Sequence, residues 1–135
     1  MVAHREHIRV EWVDTDASGR IHNTVPLRFA ERAEHAFLRS AGLSALPGLL
    51  RRRIEVEYLG ELVFGDELVL DFRVERIGTS SLTFGWRAAT DRGPVFAGSS
   101  VVVHVGDDGR PAPLPPRLRA VMQAARDRSV PRGGA

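Results

Sequence analysis

The chain opens on an alternating stretch. From His7 to Val13, Ile8, Val10 and Trp12 fall on one side and Arg9 and Glu11 on the other, the period-two pattern of a half-buried strand. A loop follows from Asp14 to Thr24, whose residues DTDASGRIHNT include the Asp, Gly and Asn that tolerate turns and cap helices. From Val25 to Ala41 the period becomes helical. With each residue turning about 100°, Leu27, Phe29, Ala30, Ala33, Ala36, Phe37, Leu38 and Ala41 form one broad apolar sector, opposite Arg28, Glu31, Arg32, His35 and Arg39. Pro26 suits a first turn whose N–H has no intrahelical partner to lose, Asn23 or Thr24 can cap, and Gly42 stands where helices commonly end. Glu34 alone breaks the pattern, projecting from within the apolar sector near the direction of Leu27 and Leu38.

Strand-like segments follow. Arg53 to Leu59 carries Ile54, Val56 and Tyr58 on one face, and Glu67 to Glu75 carries Leu68, Leu70, Phe72 and Val74. Leu82 to Thr90 carries Leu82, Phe84, Trp86 and Ala88, and Val95 to Val105 is the most uniformly apolar. Gly65-Asp66, Asp91 to Pro94 and Asp107 to Gly109 read as turns. A stiff Pro111 to Pro116 lead then enters a short C-terminal helix, Arg117 to Arg126. No second helix interrupts the four later strands, which predicts an antiparallel sheet laid on one long helix, a two-layer α+β domain. The expected division is one domain over 1–128 and a disordered end over 129–135. Around Val101 to Val105 the last strand is apolar on both faces, more than one helix can bury, so a second copy of the chain is the simplest cover.

Composition narrows the chemistry. The chain has 135 residues, enough for one domain with a real core, and no cysteine, which removes disulfides, thiolate metal sites and a cysteine nucleophile together. A pI near 10.3 suggests a nucleic-acid partner until its origin is traced. The formal charge is only +2, and every strong cation is an arginine, so almost nothing titrates between neutrality and the arginine range. Arginines also interleave with Glu and Asp instead of forming a one-signed stripe, and no nucleic-acid partner is expected. Without a bilayer-length apolar run or a signal-peptide pattern, no membrane partner is expected, and a cytoplasmic location is the default. No histidine or carboxylate cluster has metal-ligand spacing and no phosphate-binding glycine loop appears, so neither a metal nor a cofactor is expected.

The run VEWVDTDASGRIHNTVPLRFAERAEHAFLRSAG resembles the opening of the hydroxybenzoyl-CoA thioesterase family, with its Asp-x-Asp-x-x-Gly motif followed by a helix. RRRIEVEYLGELVFGDELVLDFRVERIG, SSLTFGWRAAT and PVFAGSSVVVHV with its proline-rich exit resemble the family's remaining strands, so nearly the whole chain is covered. The resemblance implies the hotdog fold: a five-stranded antiparallel sheet wrapped around one long central helix, paired with a second protomer. It implies hydrolysis of a thioester carried by coenzyme A or an acyl carrier protein, with two active sites at the dimer interface. By the same resemblance Asp16, the second Asp of the motif, acts at the thioester carbonyl carbon, directly or through water, and a backbone N–H near Asn23 polarises the carbonyl oxygen. Such chemistry suits a helix N-terminus, where N–H groups and the dipole favour a developing oxyanion. The chain departs from the family in having His22-Asn23 where a Tyr-His pair is common, and Pro26 where the helix has an early Tyr.

Each candidate has a plainer reading beside it. Asp14 and Asp16 are ordinary turn residues on composition alone, and the resemblance lifts only Asp16; Asp14 reads as a loop stabiliser. His22 stands near the expected centre as a substitute base, although a lone histidine is more often a surface residue. Gly19 allows the loop to turn sharply beside a ligand. Glu31 is explained by pairing with Arg28 and His35 on the helix surface. Glu34 is a candidate pocket residue, because some hotdog thioesterases carry their carboxylate on this helix, and a paired arginine at the dimer contact explains it equally well. Arg52, within Arg51 to Arg53, is a candidate for coenzyme A phosphates, against a solvated strand entrance. Ser81 is a candidate substrate contact, against a turn role, and Gly98 reads as a bulge or a close ligand approach. A hydratase using Asp16 and His22, and a non-catalytic acyl-thioester-binding dimer, are the alternatives to hydrolysis. The expected assembly is a homodimer, with a tetramer open.

Overall fold

The computed structural model describes residues 2–43 and 48–129. The sheet is five-stranded and antiparallel, in the order β1-β3-β4-β5-β2, with β1 His4–Arg9, β2 Leu49–Tyr58, β3 Glu67–Ile77, β4 Ser81–Thr90 and β5 Gly93–His104. The two α-helices are α1 Val25–Ser40 and α2 Pro116–Ser129. The expected helix and strands are all present. The terminal helix is longer than its sequence pattern suggests, extending past Arg126 to Ser129, and the rest of the expected disordered end lies outside the described residues.

Cross-strand register explains which residues meet the core. Leu70 stands opposite Ala88, Phe72 opposite Trp86 and Val74 opposite Phe84, so alternate residues of β3 and β4 share one face. All six are buried, and Phe72 stacks near Phe84 with ring centroids 4.9 Å apart. Phe29, Ala33 and Phe37 of α1 and Leu118, Met122 and Ala125 of α2 join the same cluster. α2 is tethered by the Arg119 guanidinium, which donates to the carbonyls of Gly78 at 2.7 Å and Thr79 at 3.1 Å.

Four expectations change. The first strand begins earlier and ends at Arg9, after which Trp12–Asp14 form a turn of 3-10 helix. That turn breaks the alternation, so Trp12 does not follow Ile8 and Val10 inward but stands 69% exposed, edge-on to Phe64. Thr24 takes the N-cap position of α1 without a capping side-chain bond; its hydroxyl is engaged with His22 instead. No register shift falls at Gly98. A Cβ there would overlap the Trp86 ring and the Glu55 carbonyl oxygen, so the glycine lets the indole lie against β5. Finally, Val103 is already buried within one chain, so the doubly apolar last strand does not by itself require a second copy.

Candidate active site

The loop before α1 is a small hairpin. The Asp16 N–H donates to the Arg20 carbonyl at 2.9 Å, Thr15 and Ile21 form an antiparallel bridge, and the His22 N–H donates to the Asp14 carbonyl at 2.8 Å. Gly19 takes φ +82°, the left-handed value that a turn of this tightness needs and that a side chain would strain. The fold-back brings Asp14 onto His22 and the first turns of α1, and Asp16 within electrostatic reach of His22.

The two aspartates are then used differently. Asp14 is buried; its carboxylate accepts from the Glu11 N–H at 2.9 Å and pairs with Arg28 at 3.3 Å, which pins the loop to the first turns of the helix. It is a loop stabiliser, as its sequence context suggests. Asp16 is exposed, and its Oδ1 accepts from the Ser18 N–H at 2.8 Å and the Ser18 hydroxyl at 2.5 Å. Those two bonds, with smaller help from the charges of His22 and Arg20, hold its carboxyl below the usual aspartate range despite an opposing desolvation effect. Asp16 is therefore an anion at neutral pH, with Oδ2 free of partners among the described residues.

At the helix entrance the Thr24 N–H donates to His22 Nδ1 at 3.2 Å and the Val25 N–H to the His22 carbonyl at 2.9 Å. The Asn23 N–H donates to no protein acceptor among the described residues. The Asn23 carbonyl is held from the other side by a hydroxyl that the sequence did not single out, that of Tyr58 at the end of β2. The only one-dimensional sign of Tyr58 is its alternation with Ile54 and Val56; its partner is 35 residues away.

A second group of residues gathers between α1 and the sheet. A cavity of about 110 Å³ is walled by Leu27, Ala30, Ile54 and Trp86, with Glu34, Arg51 and Ser100 as polar lining. Glu34 is only 5% exposed, and its two oxygens accept from Arg51 at 2.7 and 3.3 Å, a fork-on-fork ion pair. Arg51 also lies 3.7 Å from Glu31 while Arg28 goes to Asp14, so the expected pairing of Glu31 along the helix surface is replaced by a cross-element one.

The arginine that reaches Glu34 is Arg51 and not Arg52, because the β2–β5 register shifts between Arg51 and Arg53. Strict alternation from Ile54 would turn Arg52 inward; the bulge turns Arg51 inward instead. Arg52 is exposed and makes no ion pair among the described residues. Ser81 starts β4 opposite Val103, on the face away from Leu82 and at the end of the strand remote from the loop, so it does not join the other candidates. Among the described residues no group of three His, Asp or Glu side chains is placed to hold a metal, and no helix is long and apolar enough to cross a membrane.

Comparison with known proteins bears on the family and the fold. A thioesterase from Thermus thermophilus, solved with coenzyme A and zinc, is 28% identical with a TM-score of 0.84, over 93% of this chain and 96% of that one. A structure described as a predicted thioesterase from Bacillus stearothermophilus is 25% identical with a TM-score of 0.82, over 90% of this chain and 95% of that one. A 1,4-dihydroxy-2-naphthoyl-CoA thioesterase from Synechocystis shares the fold at a TM-score of 0.83 and 15% identity, over 89% of this chain and 95% of that one. No protein of curated function matches the chain in sequence. The profile of the thioesterase-like superfamily matches residues 10–122, from just after the first strand to the middle of α2, and the chain belongs to that superfamily, with the hotdog fold of its thioesterases.

Proposed function

We propose that this protein hydrolyses an acyl thioester of coenzyme A, or of an acyl carrier protein, at the mouth of the loop–helix junction. The observation that carries the reading is an ionised, exposed Asp16 carboxylate within electrostatic reach of His22, in the loop that ends on an uncommitted Asn23 N–H just before α1. In the reaction the thioester oxygen accepts from the Asn23 N–H, and the helix N-terminus stabilises the charge that develops there. Asp16 Oδ2 serves the carbonyl carbon, either attacking it or taking the proton of an attacking water. The tetrahedral intermediate then collapses and expels the thiolate, which takes up the released proton; by the direct route this leaves an acyl–Asp16 anhydride, which a water cleaves at the Asp16 carboxyl carbon to free the acid. Tyr58, bonded to the Asn23 carbonyl, acts as a positioning residue. Gly19 keeps the loop tight, and His22 assists through its position beside Asp16. Arg52 reaches outward from the β2 edge, where a coenzyme A phosphate would pass.

The active assembly is a homodimer joined along β2, with α1 as the central helix about which the sheet curves. β2 lies at one end of the strand order, so one side of its backbone has no partner strand, and Ile54, Tyr58 and Leu59 are exposed along it. A partner there would also cover the otherwise open Asp16 loop and exclude water from the reacting carbonyl. The experiment is a panel of acyl-CoA and acyl-carrier thioesters with release of free thiol as the readout. Thiol release supports hydrolysis; loss of an enoyl thioester without thiol release means hydration; neither outcome leaves only a binding role. Single turnover in water labelled with heavy oxygen separates attack by Asp16, which puts the label into the protein, from attack by water, which puts it only in the acid.

A further inference from the structure

Resting on the thioesterase reading, we propose that the Glu34–Arg51 ion pair is the specificity-determining end of the acyl pocket. It admits medium-length acyl groups ending in a neutral polar atom and rejects plain or long alkyl chains. The cavity begins at Leu27, in the first turn of α1 beyond Asn23, and Glu34 lies seven residues further, roughly 10 Å along the helix axis. A chain whose carbonyl sits at Asn23 and which runs between α1 and β2 therefore meets the ion pair at its far end.

Volume and chemistry then set what fits. The cavity of about 110 Å³ is somewhat smaller than the ~150 Å³ void that takes up benzene, which sets the guest at roughly five or six non-hydrogen atoms. Leu27, Ala30, Ile54 and Trp86 make its walls mainly apolar, with Arg28 and Glu31 also on the lining, and the far end presents the Arg51 fork, the Glu34 carboxylate and the Ser100 hydroxyl, whose oxygen accepts only a long bond of 3.4 Å from Trp86. A terminal methyl pressed there strips water from these groups and returns no hydrogen bond, whereas a hydroxyl both donates and accepts. The charges around the cavity cancel, Arg28 and Arg51 against Glu31 and Glu34, so an anionic end group gains nothing that a neutral one lacks.

The test compares ω-hydroxyhexanoyl-CoA with its isostere heptanoyl-CoA, and with dodecanoyl-CoA for length. Wild-type kcat/KM is expected to favour the hydroxylated thioester by roughly tenfold or more, with dodecanoyl-CoA slowest. Replacing the pair together, Glu34→Leu with Arg51→Leu, avoids orphaning a buried charge and is expected to erase or invert that preference. Ser100→Ala, which leaves the ion pair in place, is expected to reduce it in part, and carries the test if the double variant does not fold. Equal rates for the two isosteres in the wild type, or an unchanged ratio in the variants, would overturn the inference while leaving hydrolysis intact. A binding arm separates the two readings: the Trp86 indole N–H resonance is followed while ω-hydroxyhexanamide or heptanamide is added. Preferential binding of the hydroxyamide without thiol release from any thioester would sink the thioesterase reading alone. No shift with either amide would sink the pocket assignment.

Discussion

Two carboxylates face the start and middle of the same helix, and they are held in opposite ways. Asp16 is exposed, and its bonds are local, reaching only two residues to Ser18. Glu34 is buried, and its bonds span 17 residues to Arg51 on another element. Local bonds in water fix where a charge sits without making the fold depend on it, and they leave one oxygen open. A long-range pair with one buried member couples fold to charge, because Glu34 without Arg51 is a buried ion without compensation, whereas the Arg51 side chain keeps 28% of its surface exposed. Under the proposed function the loop carries the chemistry and the pocket carries architecture and selection, so substitutions at the two sites are expected to fail differently.

The largest separation is in rate. Asp16→Asn keeps shape while removing charge and basicity, so single-turnover hydrolysis is expected to fall by roughly 100-fold or more, with the urea midpoint unchanged. The mirror-image result is expected at the pocket. Arg51→Met strands the Glu34 carboxylate and should cost about 3 kcal/mol in urea unfolding. Glu34→Gln should change the rate far less than Asp16→Asn. If Glu34→Gln is inactive and Asp16→Asn active, the two assignments are reversed.

Smaller effects sharpen the comparison. Gly98→Ala pushes the Trp86 ring toward the cavity, with an expected loss of about 1–3 kcal/mol and a shift of acyl preference toward smaller groups, read by denaturation and by the thioester panel. Tyr58→Phe removes the hydroxyl that holds the Asn23 carbonyl and should slow turnover by up to about tenfold, with KM little changed. The last effect is the slightest. Because the folded pKa of Asp16 lies below its unfolded value, the stability it adds is present above about pH 3.9 and is lost as pH falls through the folded value. The acid limb of hydrolysis due to Asp16 should likewise lie below about pH 3.9, so an acid limb near neutrality would show that a group other than Asp16 sets it.

The loop was the more legible of the two regions. Its hairpin depends on Asp, Gly and Ser within a few positions of one another, and short-range bonds of that kind follow from residue type and spacing. The helix was legible for the same reason, down to Glu34 standing on its apolar side. Trp12 was misassigned because a 3-10 turn interrupts the strand, and alternation extrapolated across a break puts every later side chain on the wrong face. Arg51 was not legible as the partner of Glu34 because a bulge leaves no clear mark in a run of three arginines. Tyr58 was missed as a partner of Asn23 because their separation in sequence carries no periodic signal.

By itself, then, the sequence determined the α+β element order, the amphipathic helix, the apolar faces of β3 and β4 and the acidic turn, all of them consequences of periods two and 3.6 and of turn chemistry. Only the tertiary structure decided that Arg51 caps Glu34, that Trp86 lies against Gly98, that Tyr58 holds the helix entrance, and that Ser81 stands at the far end of β4. These depend on cross-strand register, and register is set by bulges and by packing between segments distant in the chain, where one residue's shift changes which side chain faces the pocket.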